Sequence, residues 1–332
     1  MKTILNHLFE HKVLDRTTAK EVLMNISLNQ YNHSQISAFL SVYLMRAISV
    51  EELAGFRDAL IELCLQVDLS DYETIDVCGT GGDAKNTFNI STLTAFVVAG
   101  AGYKVAKHGN YGVSSSCGSS NLMEYFDYKF TNDQNVLRKQ IEQANICFLH
   151  APLFHPAMKT VAPIRRELGV KTFFNMLGPL VNPCQPPFQL IGVFSLELAR
   201  LYHYLLQGSG KSYTIIHSLD GYDELSLTGA FKKFNNQTEE IIYPKEIGFT
   251  ILNPEELFGG ESVEDAADIF LSILRSNGTT AQENIVIANA AMAVQCFNPE
   301  RAFDTCKEEV KDSIKSGRAF QVFQKLLELG TE

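Results

Sequence analysis

The sequence lacks the features that mark a membrane protein or a secreted one. No apolar run approaches the roughly 20 residues that span a bilayer. The N-terminal stretch MKTILNHLFEHKVLD contains no sustained apolar segment followed by a small-residue cleavage site. The seven cysteines are scattered, odd in number and without a CxxC pair. In a chain of this length they predict reduced thiols in the cytoplasm, and they argue against a disulfide framework or a zinc site.

Positive charge is also scarce. The 332 residues include 28 lysines and arginines against 38 aspartates and glutamates, which gives a formal net charge of −10. A nucleic-acid-binding protein normally presents a basic face. We therefore predict no nucleic-acid partner, and we expect any bound anion to be held by a local positive field. Hydrophobic residues make up 45% of the chain, which is ordinary for a globular protein with a large and a small domain.

Hydrophobic periodicity divides the chain in two. Residues 1–68 space their apolar side chains at three and four, with capping-box patterns at Thr18-x-x-Glu21 and Ser49-x-x-Glu52, and predict a small N-terminal helical domain. Residues 72–332 alternate short β-rich runs with helical runs. This alternation predicts an α/β fold in which helices flank a mostly parallel central sheet. The predicted strands are 74–78, 103–108, 146–150, 188–194 and 213–218.

A glycine-rich loop, DVCGTGGDAKNTFNIST (76–92), lies between the first predicted strand and an apolar helix. Glycine lets the backbone approach an anion closely, and the N–H groups at a helix start favour negative charge. No G-x-x-x-x-G-K-[ST] is present. Gly79-x-Gly81-x-x-Ala84 fits the dinucleotide fingerprint, but the acidic residue expected about 20 positions later is replaced by Lys107-His108. A cation there suits another phosphate, whereas the glycines by themselves are equally consistent with a tight turn.

A second loop of similar character, KHGNYGVSSSCGSS (107–120), follows the next strand. It contains a lysine, three glycines and six hydroxyl side chains. The carboxyl ends of neighbouring parallel strands meet at one sheet edge, where ligands bind in such folds. Two adjacent anion loops therefore predict a ligand with phosphates at two places.

Two further features each have a functional and a structural explanation. Asp223 and Glu224 form a pair that is usually a solvated surface turn. After the strand at 213–218 they would instead reach the same sheet edge and, with Ser91, suit Mg²⁺ carrying a pyrophosphate. Arg165 lies among apolar and aromatic residues in 148–183. It would hold an aromatic carboxylate in an apolar slot, or it is a solvent-facing residue of an amphipathic helix.

Taken in order, these motifs resemble those of the anthranilate phosphoribosyltransferases: GTGGD with NIST, KHGN, HPAMK with R-x-x-LG-x-x-T-x-FN-x-LGPL, and DG-x-DE. The resemblance covers nearly the whole chain. It implies a magnesium-dependent enzyme that transfers 5-phosphoribose from phosphoribosyl pyrophosphate to the amine of anthranilate in tryptophan biosynthesis. It also implies a homodimer formed through the helical domain.

The resemblance assigns roles to individual residues. Ser91, Asp223 and Glu224 would bind magnesium. No general base is assigned, because the aromatic amine is already neutral at pH 7. His108 is a candidate for that role and is equally well explained as a structural histidine.

The remaining roles concern the two substrates. Anthranilate would be contacted by Gly79, Asn110 and Arg165. Phosphoribosyl pyrophosphate would be held by Gly79, Gly82, Asp83, Thr87, Asn89, Ile90, Ser91, Thr92, Lys107, His108, Gly109, Asn110, Tyr111, Gly112, Val113, Ser114, Ser115 and Ser119.

The sequence departs from the family pattern in the second loop. Tyr111-Gly112 stands where relatives carry arginine after KHGN, which removes one cationic contact with phosphate. Cys117 and Asn121 stand where serine and aspartate are common. Two alternatives stay open: a pyrimidine nucleoside phosphorylase of the same superfamily, and a non-catalytic nucleic-acid-binding relative, which the net charge of −10 disfavours.

Overall fold

The computed structural model describes residues 1–112 and 117–331. The chain divides into two compact units. The first comprises Met1–Gln66 and Ala151–Gln185, and the second comprises Val67–His150 and Pro186–Glu332. The sequence-based division into 1–68 and 72–332 assigns Ala151–Gln185 to the second domain, whereas the structure groups this segment with the N-terminal helices.

Regular elements account for most of the described residues. The helices are α1 (Lys2–Phe9), α2 (Arg16–Ser27), α3 (His33–Met45), α4 (Val50–Leu63), α5 (Ile90–Gly100), α6 (Ser119–Tyr125), α7 (Gln134–Ala144), α8 (Ala151–Phe154), α9 (Met158–Leu168), α10 (Leu196–Gln207), α11 (Val263–Leu274), α12 (Thr280–Gln295), α13 (Phe303–Lys315) and α14 (Arg318–Thr331). The strands are β1 (Thr74–Gly79), β2 (Lys104–Gly109), β3 (Ile146–His150), β4 (Phe188–Gly192), β5 (Ser212–Ser218), β6 (Phe231–Asn235) and β7 (Glu239–Ile242). Within the described ranges, every helix is too short or too polar to cross a membrane.

An aromatic core holds the helical unit together across its two chain segments. Phe56 of α4 stacks on Phe173 with ring centroids 4.4 Å apart. Phe39 and Tyr43 of α3 meet the same Phe173 ring edge-on, and all four side chains are buried. Because Phe173 completes this core, residues 151–185 belong to the helical unit, which periodicity along the chain does not reveal.

The two predicted capping boxes have different outcomes. Ser49 and Glu52 cap α4 as predicted. The box at Thr18 is wrong, because α2 begins at Arg16 and its N-cap is Asp15, whose carboxylate accepts a hydrogen bond from Thr18 N–H. Aspartate is itself a strong N-cap residue, so the helix starts about one turn earlier than predicted.

A seven-stranded sheet of order β3-β2-β1-β4-β5-β6-β7 forms the centre of the α/β unit. The strands from β3 to β5 in this order run parallel, whereas β6 and β7 are antiparallel. The predicted mostly parallel sheet and all five predicted strands are confirmed. The prediction does not include β6 and β7, because FKKFN and EEII are rich in charge and do not alternate cleanly.

The sheet edge formed by the carboxyl ends of the parallel strands carries the loops of interest. Helix α5 follows β1 and α6 follows β2, so both intervening loops leave the sheet at this edge. Helices α5 and α12 are apolar nearly all round and buried, as expected for helices surrounded by protein. Three parallel strands end in glycine, which are Gly79, Gly109 and Gly192.

Candidate functional site

The loop between β1 and α5 folds back over the sheet edge. Gly81, Gly82 and Ala84 have left-handed backbone conformations, with φ angles of 65°, 81° and 59°. Glycine adopts such angles without strain, which explains the two glycines. Thr80 N–H donates to Gly192 O at 2.9 Å and ties the start of the loop to β4. The loop therefore turns sharply just after β1 and stays close to the end of β4.

The two predicted anion loops contact each other. Asn89 Nδ2 in the first loop donates to Cys117 O in the second at 2.9 Å. Asn89 Oδ1 is buried and accepts no hydrogen bond from the described residues. A buried amide oxygen without a donor is costly, so a ligand that supplies a donor would be favoured here.

Hydrogen bonds fasten the second loop to the start of α6. Asn110 O accepts from Ser119 Oγ at 3.2 Å. Asn121 Oδ1 accepts from Gly112 N–H and from Gly118 N–H, both at 3.0 Å. Asn121 therefore closes the loop with a neutral amide, where the family pattern has an aspartate that would add negative charge.

Tyr111 occupies the position where the resemblance expects arginine. Its hydroxyl donates to Glu124 Oε1 at 2.6 Å, and its ring meets His150 edge-on with centroids 5.0 Å apart. Tyr111 thus contributes a hydrogen bond to α6 and no cation. Three residues predicted to hold phosphoribosyl pyrophosphate lie outside the described residues, namely Val113, Ser114 and Ser115.

Lys107 and His108, at the end of β2, are both buried. Lys107 Nζ donates to Val77 O at 2.8 Å. An ammonium group has three donors, so the lysine places a buried cation with further donor capacity at the base of the loops. His108 N–H donates to Asp76 Oδ1 at 3.1 Å, which leaves both explanations of His108 open.

The carboxylate of Asp223 lies beneath the first loop. Asp223 is 8% exposed, and its Oδ2 accepts from Gly81 N–H at 2.5 Å. A Cβ at Gly79 would come within 2.6 Å of this oxygen, and a Cβ at Gly192 within 1.6 Å of Asp223 O. Glycine at both strand ends therefore lets the loop after β5 lie on the sheet edge. The alternative of a solvated surface turn is wrong for Asp223.

Glu224 has one carboxylate oxygen with a partner and one without. Oε1 accepts from Ser91 N–H at 3.1 Å, whereas Oε2 is buried and accepts no hydrogen bond from the described residues. Asp83 joins the group, because its Oδ2 accepts from Asp223 N–H at 3.5 Å. The structure thus brings together Ser91, Asp223 and Glu224, as the sequence predicts, and adds a third carboxylate.

Burial and mutual repulsion disfavour charge on these carboxylates. Burial, with the neighbouring Asp83 carboxylate, raises the pKa of Asp223 to about 8. Burial and the charges of Asp223 and Asp83 raise the pKa of Glu224 well above its ordinary value, and Lys107 offsets only part of this shift. A cation beside the carboxylates would favour their charged forms.

The donor set fits magnesium. Among the described residues, no group of three His, Cys, Asp or Glu side chains could hold a metal by itself. Magnesium is normally bound by one or two carboxylates and completes its coordination with water and substrate phosphates. Glu224 Oε2, which accepts no hydrogen bond from the described residues, lies next to two loops suited to phosphates and meets that requirement.

Arg165 belongs to the helical unit, on α9. Its guanidinium lies 5.4 Å from the centroid of the Phe174 ring and donates to Asn175 Oδ1 at 3.1 Å. Arg165 is partly buried whereas Arg166 is exposed, and burial lowers the pKa of Arg165. The solvent-facing explanation therefore applies to Arg166. His155, earlier in the same segment, is also buried, which lowers its pKa to about 4 and makes it neutral at pH 7.

Sequence reasoning missed three residues that support the Asp223–Glu224 loop, namely Gly192, Ser218 and Asn289. Asn289 interrupts the apolar run IVIANAAMAV of α12. Such an asparagine signals a buried polar contact. The sequence does not identify the partner, Leu225, which is 64 residues away.

Family models match both parts of the chain. The model of the glycosyl transferase family, a/b domain, matches residues 71–320, and that of the glycosyl transferase family, helical bundle domain, matches residues 2–64. Together with the fold and the site, these matches define a glycosyltransferase with a helical and an α/β part.

Individual relatives narrow this class. The anthranilate phosphoribosyltransferase of Flavobacterium johnsoniae is 58% identical over 332 residues, which cover 99% of each chain. The structure of the Thermus thermophilus anthranilate phosphoribosyltransferase has a TM-score of 0.92 at 28% identity, over 99% of each chain. The chain belongs to the anthranilate phosphoribosyltransferase family, so the family and the enzyme class predicted from the sequence are confirmed.

A third comparison concerns the fold. The structure of anthranilate phosphoribosyltransferase from Saccharomyces cerevisiae, in complex with phosphoribosyl pyrophosphate and magnesium, has a TM-score of 0.91. The alignment covers 98% of this chain and 96% of the yeast chain at 24% identity. At this identity the likeness shows the shared fold.

Proposed function

We propose that this chain transfers the 5-phosphoribosyl group from phosphoribosyl pyrophosphate to the amine of anthranilate. The products are N-(5-phosphoribosyl)anthranilate and pyrophosphate, and the reaction belongs to tryptophan biosynthesis. The observation that carries the proposal is the contact between two glycine-containing loops at one sheet edge. Beside them lies a carboxylate pair with one oxygen that accepts no hydrogen bond from the described residues. The name of the Flavobacterium johnsoniae relative, anthranilate phosphoribosyltransferase at 58% identity, supports the same reaction here.

The two loops would bind and orient phosphoribosyl pyrophosphate. Displacement of pyrophosphate at C1 of the ribose develops positive charge on the sugar and negative charge on the leaving group. Catalysis then depends on alignment of the reactants and on donors aimed at the leaving group. The loops offer backbone N–H groups and hydroxyls for this purpose. The proposed contacts are those of Gly79, Gly82, Asp83, Thr87, Asn89, Ile90, Ser91, Thr92, residues 107–115 and Ser119.

Ser91, Asp223 and Glu224 would hold magnesium. Glu224 Oε2 is a buried acceptor that has no donor among the described residues, and a cation would satisfy it. When bound, Mg²⁺ supplies neutralisation of the negative charge that develops on pyrophosphate. Lys107, which favours the charged form of Glu224, would help to keep this carboxylate ionised.

Arg165 would bind the carboxylate of anthranilate. Its guanidinium is partly buried and lies over the Phe174 ring, and charge-assisted hydrogen bonds are strong where water is partly excluded. The predicted anthranilate contacts of Gly79 and Asn110 belong to the same proposal. No general base is assigned, because the amine of anthranilate is neutral at pH 7 and can attack without losing a proton first.

We also propose a cytoplasmic homodimer that forms through the helical unit. In this unit Phe9 is 59% exposed, Met45 90% and Val170 49%, and self-association would cover such apolar surface. The seven cysteines, all within the described residues, form no disulfide, which suits a reducing compartment. Light scattering during size-exclusion chromatography should give twice the chain mass of 37.0 kDa, and a monomer at micromolar concentration would contradict the dimer.

The reaction is tested by the loss of anthranilate fluorescence. Purified protein should consume anthranilate only when phosphoribosyl pyrophosphate and Mg²⁺ are both present. Thymidine with phosphate serves as the matched control for the pyrimidine nucleoside phosphorylase alternative and should release no free base. Release of thymine without any loss of anthranilate would overturn the proposed function.

A further inference from the structure

The backbone that carries Glu224 is held on its carboxyl side by two residues, one six positions earlier in the chain and one on the distant helix α12. Ser218 Oγ, at the end of β5, donates to Glu224 O at 2.7 Å. Asn289 of α12 makes a two-way contact with the next residue: its Nδ2 donates to Leu225 O at 2.8 Å, and Leu225 N–H donates to its Oδ1 at 3.2 Å. Three successive backbone groups, from Glu224 O to Leu225 O, are thereby fixed.

Asn289 is an unusual residue for its location. It is 4% exposed within an apolar helix, where a buried amide is costly unless its hydrogen bonds are made. Besides the contacts with Leu225, its Nδ2 donates to Ile285 O at 2.9 Å. An apolar residue at this position would need no hydrogen bonds. The presence of asparagine is therefore explained by its hydrogen bonds with the backbone of Leu225.

Packing restricts the same loop from the other side. Asp223 O lies where a Cβ on Gly192 would be, at 1.6 Å, so the loop rests directly on the backbone of β4. The side chain of Leu225 is fully buried. Glu224 and Asn289 also line one small cavity together with Ser91. The carboxylate of Glu224 therefore extends from a backbone segment that has little freedom to move.

We infer that Asn289 and Ser218 are positioning residues for the magnesium ligand Glu224, an inference that rests on the metal site of the proposed function. Neither residue would touch the ion. Magnesium requires near-ideal octahedral geometry at about 2.0–2.1 Å, and mutation of residues that orient a metal ligand typically lowers metal affinity by about 10- to 100-fold. Releasing the backbone beside Glu224 should therefore weaken metal binding while both carboxylates remain in place.

Metal binding in solution tests the inference, with Mn²⁺ as the probe. Free Mn²⁺ is measured by electron paramagnetic resonance in the presence of phosphoribosyl pyrophosphate and without anthranilate, so that no turnover occurs. Asn289→Leu and Ser218→Ala should each weaken Mn²⁺ binding roughly tenfold, and Ser218→Thr, which retains the hydroxyl, should restore it. The matched control is Ser313→Ala, because Ser313 is also fully buried and donates to a backbone oxygen, Val97 O, at 2.8 Å. This variant should lower the unfolding temperature and leave Mn²⁺ affinity unchanged.

A double variant separates failure of the inference from failure of the proposed function. Asp223→Asn with Glu224→Gln should weaken Mn²⁺ binding by roughly a hundredfold, more than either positioning variant does. If that variant keeps wild-type affinity, the metal site itself is refuted. If it binds Mn²⁺ more weakly while Asn289→Leu and Ser218→Ala bind Mn²⁺ as the wild type does, only the positioning role is overturned. Should Asn289→Leu fail to fold, Ser218→Ala and Ser218→Thr decide the question.

Discussion

Glu52 in the helical unit and Glu224 in the α/β unit both direct a carboxylate into the protein interior, but their surroundings differ. The carboxylate of Glu52 accepts hydrogen bonds from Leu14 N–H, Tyr43 OH, Ser49 N–H and both terminal nitrogens of Arg46. Burial by itself would raise the pKa of Glu52, but Arg46 and the backbone donors outweigh it and lower that pKa. The carboxylate of Glu224 accepts a hydrogen bond from Ser91 N–H at Oε1, whereas Oε2 accepts none from the described residues. Burial raises the pKa of Glu224.

We interpret this difference as that between a carboxylate that stabilises the fold and one that is proposed to bind a ligand. Buried charges in proteins are normally paired and hydrogen-bonded, and Glu52 follows this rule with every partner supplied by its own unit. Glu224 breaks it at Oε2, for which the described residues supply no donor. A site that departs from the usual satisfaction of polar groups is where function is expected. Replacing Glu52 should therefore lower the stability of the fold, whereas replacing Glu224 should weaken metal binding.

The largest expected effect is a loss of folding stability in the variant Glu52→Gln. This change leaves Arg46 without its partner inside the helical unit, and breaking a buried ion pair typically costs about 3 kcal/mol of stability. Urea denaturation followed by circular dichroism measures the loss. Glu62→Gln is the matched control, because Glu62 forms an exposed pair with Lys20 and should change unfolding little. Equal midpoints for the two variants would contradict a stabilising role for Glu52.

Replacing the carboxylates proposed to bind magnesium should lower activity and leave stability unchanged. Asp223→Asn with Glu224→Gln should lower activity by roughly a hundredfold at low Mg²⁺, with partial recovery as Mg²⁺ rises, through mass action. Stability should not fall, because the variant removes two buried carboxylates whose charged forms burial and mutual repulsion already disfavour. A Mg²⁺ titration of the rate, beside thermal unfolding without metal, checks both parts. An unchanged titration would show that this pair does not bind the metal.

A smaller effect, on the order of tenfold, is expected when each unit loses the cation proposed to bind a substrate. Arg165→Ala should raise the Michaelis constant for anthranilate, whereas Lys107→Met, which keeps an apolar chain in the buried position, should act mainly on phosphoribosyl pyrophosphate. Steady-state kinetics with both substrates varied decides between them. If Arg165→Ala leaves the anthranilate constant unchanged, Arg165 is not the carboxylate-binding residue.

The smallest effect is the pH dependence of the Glu52 contribution. Because the pKa of Glu52 is lowered in the folded protein, its stabilisation is fully present above the unfolded pKa of about 4.3 and is lost as pH falls through the folded pKa. The stability difference between wild type and Glu52→Gln should therefore shrink between about pH 5 and pH 3. A difference that stays constant over this range would show that packing, not charge, accounts for the role of Glu52.

Local patterns in the sequence predicted much of the α/β unit. The strands at 74–78 and 103–108 and the loops after them were identified from glycine, hydroxyl and apolar spacing, and parallel pairing brings these loops to one edge. The pairing of Ser91 with Glu224 follows from the same topology. Such features are encoded within a few residues, or by a general rule for parallel sheets.

What the sequence did not reveal depends on contacts between distant segments. Phe173 joins residues 151–185 to the helical core, and Asn289 reaches the loop after β5. Gly192 is required by the close approach of Asp223 O, which no local pattern indicates. Asp15 and Thr18 are both of a type that caps helices. Only the folded structure shows that Asp15 is the N-cap of α2.

The most direct test of the account compares the two glutamates in one measurement. Mn²⁺ binding in the presence of phosphoribosyl pyrophosphate is followed by electron paramagnetic resonance for wild type, Glu224→Gln and Glu52→Gln, at a temperature where all three are folded. The account predicts that Glu224→Gln loses most of the bound Mn²⁺ and that Glu52→Gln binds it as the wild type does. Retention of wild-type affinity by Glu224→Gln would contradict the claim that its unpartnered carboxylate oxygen is reserved for the metal.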